Sequence, residues 1–454
     1  MQIPFPFDSM LLFGSLAIML LVGVFLRARV SFLQRFLIPS CLIGGTLGLI
    51  VINSGWVNLS VTDLETFAYH FFNISFISVG LTASANQSDQ TLKKKKYGKG
   101  SLWMALTQTI VFNLQAIVGG LCVILLGLFG LELFPTFGFF APLGFEEGPG
   151  QALSIGKVWE GLGFEHAATI GLTFAAIGYA MAFFIGVPLA NWGIRRGLAV
   201  NAPDNLPVDF LSGVLSKSQS KHPAGVQTLH SANIDTLAFQ SAMVGVVYLL
   251  TYGFIRTVGG FFQPDVASIL WGFFFIFGLI IALAARWTLG RFNVDYLIDP
   301  GVQRRITGWS IDFLIVATIM AIKLTIVWTY ILPISVISIC CGAVTTVAML
   351  FLGKRLWSYN LERTVAIFGT VTGTVSCGLL LLRIVDPEFN TPAVIEIALM
   401  NAIAIIPIGG LLLLVNAPVW WNWSLWMTLL AFAAVLVAAA SLMKIFKLLE
   451  NPKY

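Results

Sequence analysis

Glu146 and Glu147 stand side by side in an otherwise apolar stretch, directly ahead of Gly148, Pro149, Gly150 and Gln151. A carboxylate at membrane depth costs about 2.5–3.5 kcal/mol on insertion scales unless water or a partner stabilises it. Such a pair suits cation binding or proton carriage; the plain alternative is two solvated charges in an outer vestibule. A second unusual stretch, 364–384, carries Gly369, Thr370, Thr372, Gly373, Thr374, Ser376 and Gly378. Its hydroxyls and close-approaching backbone suit a ligand site, with half-helix ends available to hold charge; a tight helix crossing through small residues is the rival. Arg383 follows, and its planar guanidinium fits bidentate carboxylate recognition. Its alternatives are snorkelling to an interface or pairing with Asp386 or Glu388. Asp312 and Lys323 fall in one apolar stretch eleven residues apart, roughly three helical turns, with Asp312 a candidate coupling carboxylate. Gln115 and Asn401 are neutral polar residues within apolar spans, suited to ion coupling or to interhelical hydrogen bonds.

These groups need elements to carry them, and composition says which. Hydrophobic residues make up 57% of the 454 and charged residues 10%, against roughly 25% charged in a soluble domain. Lipid must therefore be the second solvent. A spanning helix needs about 20 mostly apolar residues, and regular spans are expected at 10–26, 36–52, 66–84, 102–130, 167–194, 237–260, 265–285, 308–331, 332–352, 393–415 and 424–446. The stretches 136–156 and 364–384 are interrupted by helix breakers or small polar residues. Irregular backbone at membrane depth survives only where protein or a water-filled cavity surrounds it.

Charge placement orders the spans. With both interrupted stretches re-entrant and the N-terminus outside, the inside loops hold every Lys and Arg except Lys157, Arg256, Lys323 and Arg383, as the positive-inside rule requires. The two halves then show one element order with opposite orientation, which is the pattern of inverted-repeat transporters. The expected fold is all-α: a polytopic membrane protein of two inverted five-span repeats, each with a re-entrant or broken segment, plus one extra C-terminal span. The expected division is 1–195 for the first repeat, 196–236 for a cytoplasmic linker, 237–416 for the second repeat and 417–454 for the added helix.

Short motifs point the same way. The run Val30-Ser31-Phe32-Leu33-Gln34-Arg35-Phe36-Leu37-Ile38-Pro39, followed by Gly44-Gly45, resembles the first loop and second span of the bacterial sodium/glutamate symporter family. Phe76-Ile77-Ser78-Val79-Gly80-Leu81 resembles that family's third span, Gln115-Ala116-Ile117-Val118-Gly119 its fourth, and Ala321-Ile322-Lys323-Leu324 the counterpart in the second half. The likeness of arrangement covers about 10–415. The family's glycine-rich, histidine-bearing loops are replaced here by Glu146-Glu147-Gly148-Pro149-Gly150-Gln151 and by the 369–378 run. The resemblance implies sodium-coupled symport of glutamate or a related amino acid or carboxylate by alternating access. Substrate contacts are then expected from Arg383, Thr370, Thr372, Gly373, Thr374, Ser376 and Gln151, and ion coupling from Glu146, Glu147, Gln115, Asp312 and Asn401.

Other classes find less to stand on. No nucleophile elbow, HExxH or phosphate loop occurs in its required context. A membrane-embedded transferase would want clustered aspartates, which are dispersed here, and a channel would more naturally use a symmetric ring. Proton-coupled or uncoupled transport of another small organic anion remains the nearest alternative. The five cysteines have neither disulfide nor zinc spacing, and His70, His166, His222 and His230 are scattered. No basic stripe interleaved with aromatics suggests nucleic acid. Asp8 and the lack of a positive region before 11–26 argue against a signal peptide. Expected partners are a small anionic substrate, the lipid bilayer and, as an assembly, a homodimer. No cofactor beyond a sodium ion is expected, and the expected location is the bacterial inner membrane.

Overall fold

A computed structural model describes residues 7–57, 59–82, 87–201, 206–217, 223–262, 267, 270–387 and 389–452, with 87–96 described in backbone only. All regular elements among them are helical. The basic run at 93–96 therefore has no described side chains, and Lys221, His222, Glu388 and Lys453 lie outside the described residues.

The first half runs through helices Asp8–Arg29, Ser40–Asn53, Val61–Thr82 and Gln87–Leu128, a broken segment of Phe140–Phe145 and Pro149–Gly161, then Ala167–Phe184 with Gly186–Arg195. The second runs through Thr236–Gly259, Phe274–Arg291, Pro300–Met320 and Ile331–Gly353, a broken segment of Asn360–Thr372 and Val375–Val385, then Ala393–Leu414; Leu425–Ile445 follows. Several starts are set by side-chain caps. Asp235 accepts from Leu237 N and Ala238 N, Asp299 from Val302 N, and Ser424 from Met427 N, meeting backbone donors that no helix can satisfy itself. The expected span at 167–194 is interrupted at Ile185, because Pro188 has no N–H to give the Phe184 carbonyl.

Among the described residues eight helices are long and apolar enough to cross a membrane, so this is a multi-pass membrane protein. Ser40–Asn53, Val61–Thr82 and Pro300–Met320 are not among the eight, being shorter or more polar. They are central helices. Val61–Thr82 and Pro300–Met320 form the most extensive pair in the molecule, and Ser40–Asn53 packs on Pro300–Met320 as Phe274–Arg291 packs on Val61–Thr82. A polar seam joins them: Ser78 Oγ donates to the Gln303 side chain at 2.7 Å, and Gln303 Nε2 donates to Gln240 Oε1 at 3.1 Å. Partners on neighbouring helices satisfy such groups where lipid cannot.

The helices therefore sort into two groups. The first three of each half pack together. The fourth and fifth of each half pack with both broken segments and with Leu425–Ile445. The described parts of the linker touch both groups: Arg27 donates to Ile38 O and Phe210 O and Val226 N donates to Asp299 Oδ1 on the first, while Val200 N donates to Glu362 Oε1 at 2.7 Å on the second.

Two expectations need correction. Asp312 and Lys323 do not share a helix. Pro300–Met320 ends before Lys323, which has extended backbone and leads the separate short helix Leu324–Thr329. Asn53 makes the break, accepting from Leu324 N at 3.0 Å and donating to Ile322 O at 3.1 Å. Arg363 is not a loop charge either. It is buried inside Asn360–Thr372 and holds Glu396 through two contacts of 2.7 Å.

Candidate site between the two broken segments

Each interruption has a local cause. In the first, Phe140–Phe145 ends at Glu146, and Gly148 takes φ 86°, ψ −177° before Pro149 opens the next helix. That backbone is essentially confined to glycine, and Pro at the first helical position gives up a donor that would be unpaired anyway. In the second, Gly373 and Thr374 leave helical geometry, and both their N–H groups donate to Gly369 O, at 3.0 and 3.2 Å. The two arms of this segment touch through glycine. A Cβ on Gly369 would meet Gly378 N at 2.7 Å, so small residues here do serve a close crossing.

The two breaks abut. A Cβ on Gly148 would lie 3.0 Å from Thr374 Cγ2 and 3.7 Å from Gly373 O, with the Tyr179 hydroxyl at 4.0 Å. Helix Ala167–Phe184 walls the junction, and a Cβ on Gly178 would come within 2.6 Å of Thr372 O. The junction thus unites 146–151, 372–374 and Tyr179, drawn from three elements.

Around it lies a set of buried oxygens. Glu146 is 4% exposed and neither carboxylate oxygen has a hydrogen-bond partner. Glu147 Oε1 and Gln151 Oε1 are likewise unpartnered. Gln108, on Gln87–Leu128, lies within hydrogen-bonding reach of Glu146, and Gln151 of Glu147. Gln115, seven residues beyond Gln108, donates from Nε2 to Thr345 Oγ1 and Val371 O, both at 3.0 Å, while its Oε1 is unpartnered. It stitches Gln87–Leu128 to Ile331–Gly353 and to the second break. Buried polar atoms are ordinarily paired, so acceptors left together mark a place for a cation or a donor. An all-oxygen set fits a hard cation such as sodium.

The other expected residues divide. Thr370 and Thr372 are buried and donate into their own helix, to Ala366 O and Phe368 O, so their hydroxyls are spent on backbone. Thr374 is half-buried and Ser376 is exposed. Ser376 and Arg383 are both exposed and lie two turns apart on one face of Val375–Val385, roughly 10 Å along its axis. The Arg383 guanidinium sits 4.9 Å from the Phe389 ring centroid. Its expected alternative partner Asp386 is buried and accepts instead from Asn390 N, Thr391 N and Thr391 Oγ1. Asp312 is solvent-accessible with its carboxylate against the Cys41 thiol, and it faces toward Tyr179. It belongs to the helix group that flanks the junction. Asn401 is exposed on the same face of Ala393–Leu414 as Ile405, away from the junction.

Sequence reasoning did not single out Gln108, Tyr179 or the Arg363–Glu396 pair. For Gln108 a signal existed: it precedes Gln115 by seven residues, hence on the same helical face.

A family model described as sodium/glutamate symporter matches residues 7–377. The match takes in both broken segments up to Cys377. No curated protein matches the chain.

Proposed function

The chain belongs to the sodium/glutamate symporter family, and on that premise we propose that it carries glutamate or a related amino acid or carboxylate inward with sodium, by alternating access. The observation that carries this reading is the junction itself: two interrupted segments from opposite halves of the chain meet at Gly148 and Thr374, beside the buried Glu146 and half-buried Glu147 carboxylates. Broken helices meeting in this way supply ion and substrate sites in secondary transporters.

Roles follow from placement. Glu146 and Glu147 couple the ion, with Gln115 holding the second break in register. Gly373, Thr374, Ser376 and Arg383 face the substrate, Arg383 taking a carboxylate by its fork. Thr370 and Thr372 shape the arm that presents them. Asp312 borders the path. The N-terminus is outside and the C-terminus and the 196–236 linker are in the cytoplasm, an orientation that the Lys and Arg distribution supports; the membrane is the bacterial inner membrane, as the family resemblance implies. The halves 1–195 and 237–416 act as inverted repeats, a reading supported by the reciprocal packing of their second and third helices.

The test is counterflow and uphill uptake in proteoliposomes under imposed sodium and proton gradients in turn. Wild type is expected to exchange labelled glutamate and to accumulate it on a sodium gradient; accumulation on a proton gradient alone would replace sodium with a proton. Glu146→Gln and Glu147→Gln are expected to lose accumulation, and Arg383→Lys to lose substrate affinity. If all three variants accumulate substrate as wild type does, these residues are only vestibule and interface charges.

A further inference from the structure

The arm Pro149–Gly161 of the first broken segment lies against the other helix group and turns one face to it. Gly150, Ser154 and Val158 recur every four residues and share that face. At Gly150 the neighbour is Phe72, and a Cβ there would overlap the Phe72 ring. Phe72 is one corner of a triangle of rings. Its centroid lies 4.9 Å from that of Phe76 and 5.0 Å from that of Phe275, and the latter two are 5.0 Å apart. Rings at these spacings attract one another beyond the area they bury. Phe72 and Phe275 are buried, at 4% and 2% exposure. Further along the arm the two groups touch again: a Cβ on Gly272 would come 2.7 Å from Val158 Cγ2, and Lys157 holds Glu65 at 2.6 Å.

A cavity of about 180 Å³ adjoins this triangle, lined by Tyr69, Ser154, Lys157, Val158, Trp271 and Gly272. Its walls stand one step from the rings on each element. Tyr69 precedes Phe72 by three residues, Trp271 precedes Phe275 by four, and Ser154 follows Gly150 by four. One helical turn is about 5.4 Å, so the cavity ends at the rings. On their other side is Gly148, two residues from Gly150 and against Thr374. The rings therefore separate the cavity from the junction.

We infer that Phe72, Phe76 and Phe275 form the outer gate of the transport path, closed in this structure by the seating of Phe72 on Gly150. The inference rests on the transport reading and its orientation, in which the cavity is an outer vestibule and the junction is where an incoming anion goes. The chemistry of the layer suits parting. All three rings belong to one helix group, so they lift together. Ser154 Oγ donates to Gly150 O within its own arm, and phenylalanine has no polar atom to leave behind, so opening strands no buried donor or acceptor. The Lys157–Glu65 pair lies at the rim of the same boundary and closes with it.

The test measures access rather than transport. Thr374→Cys is placed in full-length protein whose five native cysteines are replaced by alanine. Right-side-out membrane vesicles without substrate are treated with a membrane-impermeant, positively charged methanethiosulfonate, and the labelling rate is followed. This parent is expected to label slowly. Adding Phe72→Ala or Phe275→Ala is expected to speed labelling by about tenfold or more, a shift of only about 1.4 kcal/mol between closed and open arrangements. Gly150→Ala, which displaces the ring without removing it, is expected to act in the same direction. Phe71→Ala is the control of equal size on the same helix. Phe71 packs on Phe67 and Trp309, at 4.2 and 4.8 Å between centroids, and its loss should leave the rate unchanged. Equal rates in the parent, Phe72→Ala and Gly150→Ala overturn the inference, and so does Phe71→Ala labelling as fast as Phe72→Ala. Counterflow by wild type with no change in labelling among the variants would remove the gate and leave the transport reading. Faster labelling in the gate variants with no counterflow by wild type would do the reverse.

Discussion

Arg363 and Glu396 hold each other through two 2.7 Å contacts, and their side chains are 3% and 2% exposed. The guanidinium also lies 4.6 Å from the Trp357 ring centroid and donates to Ser358 O. Taking away one member of such a pair strands a charge, at a cost of about 3–5 kcal/mol. Glu396→Gln and Arg363→Met are therefore each expected to lower the unfolding midpoint strongly in detergent. The double variant Arg363→Met/Glu396→Leu should recover most of the loss, because no buried charge remains. If the double variant is as unstable as the worse single, the pair is not what the fold needs there. Arg363→Lys should not substitute, since an ammonium cannot make both parallel contacts.

At the scale of elements, glycine decides how the interrupted segments are built. Gly369 and Gly378 let the two arms of the second segment touch, and a methyl group at either would meet neighbouring backbone. Gly378→Ala is expected to cost about 1–3 kcal/mol, as overpacking does, and to slow uptake more than it lowers expression. Gly148→Ala adds backbone strain of about 1–3 kcal/mol and pushes a methyl against Thr374. Its uptake rate should fall even where its melting curve shifts little; normal uptake would mean the junction tolerates separation. Both interruptions were legible in the sequence because glycine, proline and hydroxyl residues stand out against apolar surroundings. The end of Pro300–Met320 was not legible. Apolar residues run on through Ala321 and Ile322, and no glycine or proline follows before Pro333; the turn exists because Asn53, far away in sequence, satisfies backbone groups on both sides of Lys323. Gln108 and Arg363 were missed for related reasons. A lone glutamine in a span has many uses, and an arginine near a helix start resembles any interfacial charge until its partner, 33 residues on, is placed beside it.

At the scale of the whole molecule, one polar tie between the two helix groups stands out. Lys157, on the first broken segment, binds Glu65 on Val61–Thr82 at 2.6 Å and Glu160 on its own helix at 2.9 Å. Lys157 is 44% exposed but Glu65 only 7%, so water screens the ammonium while the carboxylate is enclosed, and the pair contributes about 1 kcal/mol, the upper end for exposed ion pairs. About 1 kcal/mol is enough to bias a balance between two arrangements by about fivefold. Lys157→Glu is expected to change the initial uptake rate by a factor of that order, and the exchange Glu65→Lys/Lys157→Glu to bring it back. Equal rates in all three proteins would show that this tie does not take part in the movement. Multi-pass insertion follows from apolar composition alone, whereas the grouping of helices depends on which faces carry Ser78, Gln240 and Gln303, and single-chain periodicity does not reveal that.

The contact between Gly148 and Thr374 joins residues 226 positions apart (374 − 148). A ribosome adds about 5–20 residues per second, so Glu146 and Glu147 enter the nascent protein roughly 10–45 s before the second break exists. During that interval the carboxylates lack the wall that later closes over them. Gln108, made earlier and facing Glu146, is already present to keep company with the charge. The first half of the chain thus has to be a tolerable tenant of the bilayer on its own, and its amides give it the means to wait.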